Sequence, residues 1–437
     1  MSDLDWIART QSAVWHPCTQ MKQQLITPPL MITRGQGVWL YDDGGQGYID
    51  GISSWWVNLF GHANPRINAA ITDQLGKVEH VMLAGCTHAP VVELSEQLAQ
   101  LTGLGHAFYG SDGASATEIA LKMSFHYWRN VGLGGKTEFI SLKNSYHGET
   151  LGALSVTDVA IFKDIYAPLL RHSVQVMSPD SRLAAASETA ADYALRAAQD
   201  VADYLEQHHK RVAAIIVEPL VQGAAGMAMY DAAYLRRVRE LCDQYQVHLI
   251  ADEIAVGFGR TGTMFACEQA QIRPDMICLS KGITGGYLPL SAVLTTNEVF
   301  AAFYADSTVR GFLHSHSYTG NPLACRAALA TLAIFADDDV LTQNRLKGDY
   351  LDSVALALRQ HPRVRHWRRT GMIWAFDVVD APIDFARLFY LAALKQGVLL
   401  RPIGNTVYFM PPYVINEAEI SQLVAGALAA LNLALLN

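Results

Sequence analysis

The sequence predicts an α/β chain: a large, mostly parallel sheet covered by helices, joined to a smaller α+β unit. Three observations predict it. Strand-like apolar runs alternate with helical periods from about residue 107 to 295, the pattern of a parallel sheet covered on both faces. Two of these runs, 247–251 and 276–280, end on an acid, Asp252, and an amine, Lys281, with a Gly-rich turn, Gly257-Phe-Gly-Arg260-Thr-Gly262, between them. After about residue 330 the alternation stops, and two helices precede strand candidates spaced around one more helix. A chain of 437 residues exceeds what one core usually covers. The expected division is residues 61–329 as the large domain, with 1–60 and 330–437 forming the small domain from the two chain ends.

Composition narrows the function. Apolar residues make up 51% and charged residues 17%, enough for a large core and against disorder. A net charge of −8 with no Lys/Arg block argues against nucleic-acid binding. The six cysteines are scattered and none forms C-x-x-C, so they read as reduced, cytosolic thiols rather than a disulfide scaffold. The N-terminus lacks the basic start and apolar core of a signal peptide. The longest apolar run, 423–436, is interrupted by Asn432. It is too short to span a bilayer and reads as a terminal amphipathic helix. A cytoplasmic chain with no membrane partner is expected.

Taken in order, the chain opens irregularly, with a hairpin over 37–41 and 48–49 turning at Asp42-Asp-Gly-Gly45. Ile67, Ile71, Leu75 and Val78 share one helical face, as do Val91, Leu94, Leu98 and Leu101. Strand 107–109 leads through Ser111-Asp-Gly-Ala-Ser-Ala-Thr-Glu118 into a helix ending near Arg129, with Ser115 and Glu118 spaced as a capping box. Strands follow at 139–142, 212–217 and 291–295, with helices near 189–208 and 232–245. The last part predicts helices near 322–336, 340–360 and 383–396, and strands at 372–378, 398–401 and 406–410.

An acid and an amine at the carboxyl edge of a parallel sheet can face one ligand. Pyridoxal phosphate (PLP) needs both, a lysine for the Schiff base and an acid for its ring nitrogen. Exposed amides at Gly113 and Ala114 suit a phosphate. Each residue also has a plain structural reading. Lys281 is alternatively a solvated strand end and Asp252 a turn cap. Ile254 and Tyr146 are alternatively core, His147 a satisfied structural histidine, and the pair Trp55-Trp56 core. Arg401 is alternatively one half of a surface ion pair. His314 and His316 lack the spacing of a metal site, so no metal is expected, and Ser317 and Thr319 suit a phosphate better.

Together the motifs resemble the class III aminotransferases, PLP enzymes of fold type I. The carriers are Ala251-Asp-Glu-Ile-Ala-Val-Gly-Phe-Gly-Arg-Thr-Gly262, Ser280-Lys-Gly-Ile-Thr-Gly-Gly286, Tyr146-His-Gly-Glu-Thr150, Val217-Glu-Pro-Leu-Val-Gln-Gly223 and Thr319-Gly-Asn-Pro322. A further set narrows the resemblance: Trp15-His-Pro17, Ser53-Ser-Trp-Trp56, His126-Tyr-Trp128, Leu400-Arg-Pro402 and Tyr408-Phe-Met-Pro-Pro-Tyr413. These resemble the members that act in biotin biosynthesis. For such members the resemblance implies S-adenosylmethionine as amino donor and 8-amino-7-oxononanoate as acceptor, and a homodimer with shared active sites.

Carried over by position, the resemblance implies that Lys281 holds PLP and shuttles a proton, that Asp252 pairs with its ring nitrogen, and that Tyr146 stacks on it and touches substrate. It implies that Gly113 and Ala114 hold the phosphate, with His316 and Ser317 reaching it from the other subunit. Trp55, Ser315 and Arg401 would contact the substrate, Arg401 at its carboxylate, and Arg260 is a candidate for donor recognition. Four positions depart from the family pattern: Ala114 stands where a serine is common, Cys18 where a tyrosine lines the pocket, Glu149 where an aspartate follows Tyr-His-Gly, and Ser315-His316 where Gly-Pro can occur. The Cys18 change leaves lysine as an alternative donor. Another ω-aminotransferase activity is a further alternative, and from another class a PLP-binding but catalytically silent regulatory or scaffold protein, against which Lys281, Asp252, Tyr146 and Arg401 together argue.

Overall fold

The computed structural model describes residues 5–436. Its centre is a seven-stranded sheet. The strands are β1 (His106–Gly110), β2 (Glu138–Leu142), β3 (Val174–Val176), β4 (Val212–Val217), β5 (His248–Asp252), β6 (Met276–Leu279) and β7 (Ser291–Thr295). Their order across the sheet is β1-β7-β6-β5-β4-β2-β3. Only β7 runs against its neighbours. Every residue of β4, β5 and β6 is buried. Strands covered on both faces must be apolar throughout, which is why these three read as continuous runs.

The parallel direction fixes where chemistry gathers. The helix Gly113–Asn130 starts just past β1, and Tyr146 lies past β2. Glu218 follows β4, Asp252 ends β5, and Lys281 lies one residue beyond Ser280 at the end of β6. All five stretches therefore meet at one carboxyl edge, where open parallel sheets bind ligands.

The two chain ends meet elsewhere. Ile32–Gln36, Trp39–Asp42 and Gly47–Asp50 form a meander, and Val398–Leu399 adds parallel to Gly47–Asp50. That pairing sets Leu399 opposite Asp50. Trp55 and Arg401 then lie just past neighbouring strand ends. Val364–Thr370, Ile373–Val378 and Thr406–Phe409 make a separate antiparallel sheet.

Several expectations change. Val364–Thr370 was not expected as a strand, because Val-Arg-His-Trp-Arg-Arg-Thr is polar; it is an edge strand, where charge is tolerated. β3 was hidden in a long connection by its three-residue length. The helix expected over 340–360 is two pieces, Val340–Val354 and Leu356–Arg359. The helix carrying Ile67 ends at Leu75, so Val78 lies outside it. The Ser115–Glu118 capping box does not form: Asp112 caps the helix through the Ser115 amide at 2.9 Å, and Glu118 instead accepts from Thr150 and Gly152. The last helix, Glu417–Leu435, is longer than the apolar run that predicted it and, by length and composition alone, long enough to cross a membrane. Here it buries Leu423, Ala427, Ala430 and Leu431 and packs on Phe385–Lys395.

Candidate active site

Asp252 is 4% exposed. Its Oδ1 accepts from the Ile254 amide at 3.1 Å, and its Oδ2 meets His147 Nδ1 at 2.7 Å. His147 is buried too, and its Nε2 has no partner among the described residues. A buried carboxylate held in this way is oriented by hydrogen bonds rather than by solvent. The sequence left His147 as a structural histidine. Its place against Asp252 was not legible, because the two come from different strands.

Lys281 is half-buried and sits in the left-handed region, with φ of 45°. Its amine makes no hydrogen bond among the described residues and stands 5.0 Å from the centre of the Trp56 ring. Burial lowers its pKa, opposed by the charges of Asp252 and Glu218. Such an amine loses its proton more readily than a surface lysine. Glu218 belongs to the motif Val217-Glu-Pro-Leu-Val-Gln-Gly223. It is buried, accepts from the Tyr146 and Gly223 amides at 2.9 Å each, and is pushed up to about 7 mainly by burial.

The Trp56 wall is built at a cost. Ser53, Ser54, Trp55 and Trp56 all have positive φ, between 46° and 73°. Left-handed backbone costs roughly 1–2 kcal/mol per residue with a side chain. The turn is held by Ser54 on Asp50, by Ser53 Oγ on the Met410 carbonyl at 2.7 Å, and by Trp56 Nε1 on Tyr408 Oη at 3.0 Å. Strain held this firmly points to a positioned wall. Trp55, 45% exposed, faces outward, and the Arg401 guanidinium lies 5.1 Å from its ring centre. Tyr146 donates to Glu149 at 2.8 Å and packs edge-on to Phe162. Cys18 is exposed; burial and the charge of Glu149 raise its thiol pKa, and that of Arg401 lowers it.

At the start of the helix Gly113–Asn130, the amides of Gly113 and Ala114 donate to no partner among the described residues. A Cβ on Gly113 would meet Ile254 at 3.0 Å, so the helix start sits tightly against the turn that follows Asp252. His316 lies against Ser111 of its own chain at 3.4 Å and His314 at 3.1 Å, and Lys122 lies 2.8 Å from His314. Ser315 and Ser317 are exposed and make no side-chain hydrogen bond among the described residues. Arg260 is not in the pocket. It is 1% exposed, donates to the Pro411 and Asn58 carbonyls at 2.8 and 2.9 Å, and lies over Tyr413. It ties segments of the core together, so its candidacy for donor recognition falls. No cluster of potential metal ligands occurs among the described residues.

A desolvated lysine, a buried acid and free helix-start amides at one sheet edge define a PLP enzyme of fold type I. The comparisons agree. Residues 20–431 match the family described as aminotransferase class-III. The adenosylmethionine-8-amino-7-oxononanoate aminotransferase of Helicobacter pylori is 45% identical over 96% of both chains. That of Geobacter sulfurreducens is 40% identical over 97% of this chain and 95% of its own. The crystal structure of the Methanocaldococcus jannaschii adenosylmethionine-8-amino-7-oxononanoate aminotransferase superposes with a TM-score of 0.92 at 36% identity, covering 98% of both chains. An ω-transaminase from Pseudomonas jessenii in complex with PMP gives 0.93 at 29%, covering 99% of this chain and 98% of that one. This chain belongs to the class III aminotransferases and is a PLP-dependent transaminase. The residues present suit that cofactor: among the described residues, an amine without a hydrogen-bond partner, a buried acid and two helix-start amides without partners gather at one sheet edge.

Proposed function

We propose that this chain moves the amino group of S-adenosylmethionine to 8-amino-7-oxononanoate, giving 7,8-diaminononanoate in biotin biosynthesis, as a cytoplasmic homodimer. The observation that carries the acceptor is Arg401 stacked on Trp55 at the mouth of the site. A guanidinium beside an aromatic wall suits a long apolar chain that ends in a carboxylate.

Bound PLP supplies the electron sink and carries the amino group between the two half-reactions. Lys281 holds the cofactor between turnovers. When displaced by the donor, its amine would move the proton from the donor α-carbon to the cofactor's aldehyde carbon, and in the second half-reaction it would move one from there to C7 of the acceptor. Burial favours the neutral amine this requires. Asp252 partners the ring nitrogen, and His147 holds the carboxylate in place. Gly113 and Ala114 take the phosphate, and Tyr146 covers the cofactor ring. Trp55, Ser315 and Arg401 line the acceptor's path.

In the proposed dimer, His316 and Ser317 of one protomer reach the phosphate of the other. Support comes from the exposed apolar side chains around that loop, among them Tyr304, Val309 and Leu313, each 83% exposed, which a second copy would cover. A second donor, lysine, is kept by one observation: Cys18 puts a small side chain on the rim beside Glu149 and Arg401. The test follows the cofactor's absorbance as S-adenosylmethionine, then 8-amino-7-oxononanoate, is added, with lysine as competitor. Conversion by S-adenosylmethionine and reversal by the acceptor are expected. Conversion by lysine alone would overturn the donor assignment.

A further inference from the structure

The segment Val217-Glu-Pro-Leu-Val-Gln-Gly223 touches the site at two places through one side chain. We infer that Glu218 is a positioning residue of the transamination: its carboxylate ties the Tyr146 turn to the loop that braces Trp56, the ring over which the Lys281 amine stands.

Each oxygen of Glu218 has its own task. Oε2 accepts from the Tyr146 amide and Oε1 from the Gly223 amide, both at 2.9 Å. The Tyr230 hydroxyl donates to the Glu218 carbonyl at 2.6 Å and locks the backbone. Gln222 holds the same loop from the other side, donating to the Lys143 carbonyl at 3.0 Å. Gly223 then lies flat against the indole: a Cβ there would come within 2.9 Å of Trp56. Trp56 in turn is fixed by Tyr408 and carries Lys281 on its face. One buried acid thereby sets the distance between the residue proposed to cover the cofactor and the wall behind the amine.

The same carboxylate acts through its charge. It faces His147 and Asp252, and its charge raises the proton affinity of Lys281. Two more titratable residues bond to Glu218: Tyr146 through its amide to the carboxylate, and Tyr230 through its hydroxyl to the main-chain carbonyl. Removing the charge but not the shape therefore has a signature that a merely structural residue lacks.

This inference rests on the transaminase reading, and the test separates the two. Holoenzyme carrying Glu218→Gln is titrated with pH by the cofactor's visible absorbance, and the S-adenosylmethionine half-reaction is timed. The titration midpoint is expected to fall by about half a unit, and kcat to fall about tenfold with KM little changed. An unmoved midpoint with wild-type kcat overturns the inference, even if the melting temperature drops. If that variant does not fold, Gly223→Ala keeps the acid and displaces the indole. It is expected to change the Trp fluorescence and lower kcat about tenfold; wild-type kcat there overturns the inference equally. Wild-type protein that binds no PLP would instead sink the transaminase reading.

Discussion

The buried edge and the outer mouth of this site are built by different rules. At the edge, Asp252, Glu218 and His147 are at most 5% exposed; Asp252 meets His147 at 2.7 Å, and Glu218 accepts from the Tyr146 and Gly223 amides at 2.9 Å each. At the mouth, Trp55, Cys18 and Arg401 are exposed, and among the described residues Arg401 meets a ring face rather than an acid. Burial shifts proton affinities and rigidifies, which chemistry on a carbon acid needs. Exposure leaves side chains free to meet different substrates. In the proposed function the edge carries the cofactor chemistry, and the mouth carries the choice of substrate.

Substitutions can break that contrast, beginning with the edge. Lys281→Ala should abolish turnover, by a factor of at least about a thousand, and remove the absorbance of the lysine-bound cofactor. Residual wild-type absorbance would remove Lys281 from its role. Asp252→Asn should slow proton abstraction about a hundredfold in both half-reactions and weaken cofactor retention. An effect confined to one half-reaction would place Asp252 on a substrate instead.

At the mouth, Arg401→Ala should raise KM for 8-amino-7-oxononanoate by about tenfold to a hundredfold while sparing the donor half-reaction. Equal loss with both substrates would erase the distinction between edge and mouth. Cys18→Tyr should change only preference, moving the ratio of S-adenosylmethionine to lysine use by about tenfold. An unchanged ratio would remove Cys18 from donor choice.

The smallest expected effect on activity is a stability effect. Glu253 is fully buried, accepts from the Ala266 and Cys267 amides, and is pushed up by burial from 4.5 to about 7. An acid with a raised folded-state pKa contributes stability below its unfolded value and loses it as pH rises through the folded one. Between about pH 4.5 and 7 the wild type should therefore lose on the order of 3 kcal/mol that Glu253→Gln does not lose. Parallel pH profiles for the two proteins in urea unfolding would contradict this.

Much of the fold was legible because buried parallel strands must be apolar from end to end. The predicted strand over 212–217 matches β4, and the helix near 232–245 is Ala233–Tyr245. What misled were places where local pattern and context disagree. Three arginines disguised the edge strand Val364–Thr370. Ser115 and Glu118 had capping-box spacing, but Asp112 stood closer to the free amides. Arg260 carried a charge that suggested a ligand, yet its guanidinium is taken up by main-chain carbonyls in the core.

The sequence by itself determined the family chemistry: an acid and an amine after two apolar runs, separated by a Gly-rich turn, suffice to place both at one sheet edge. Only the tertiary structure decided the partners. It set His147 on Asp252, Glu218 between Tyr146 and Gly223, Trp56 under Lys281, and Arg401 on a tryptophan from the opposite end of the chain. The physical reason is that a residue type states only a capacity to bond or ionise. Burial and distance, which choose the partner and shift the proton affinity, belong to pairs of residues that the fold alone brings together.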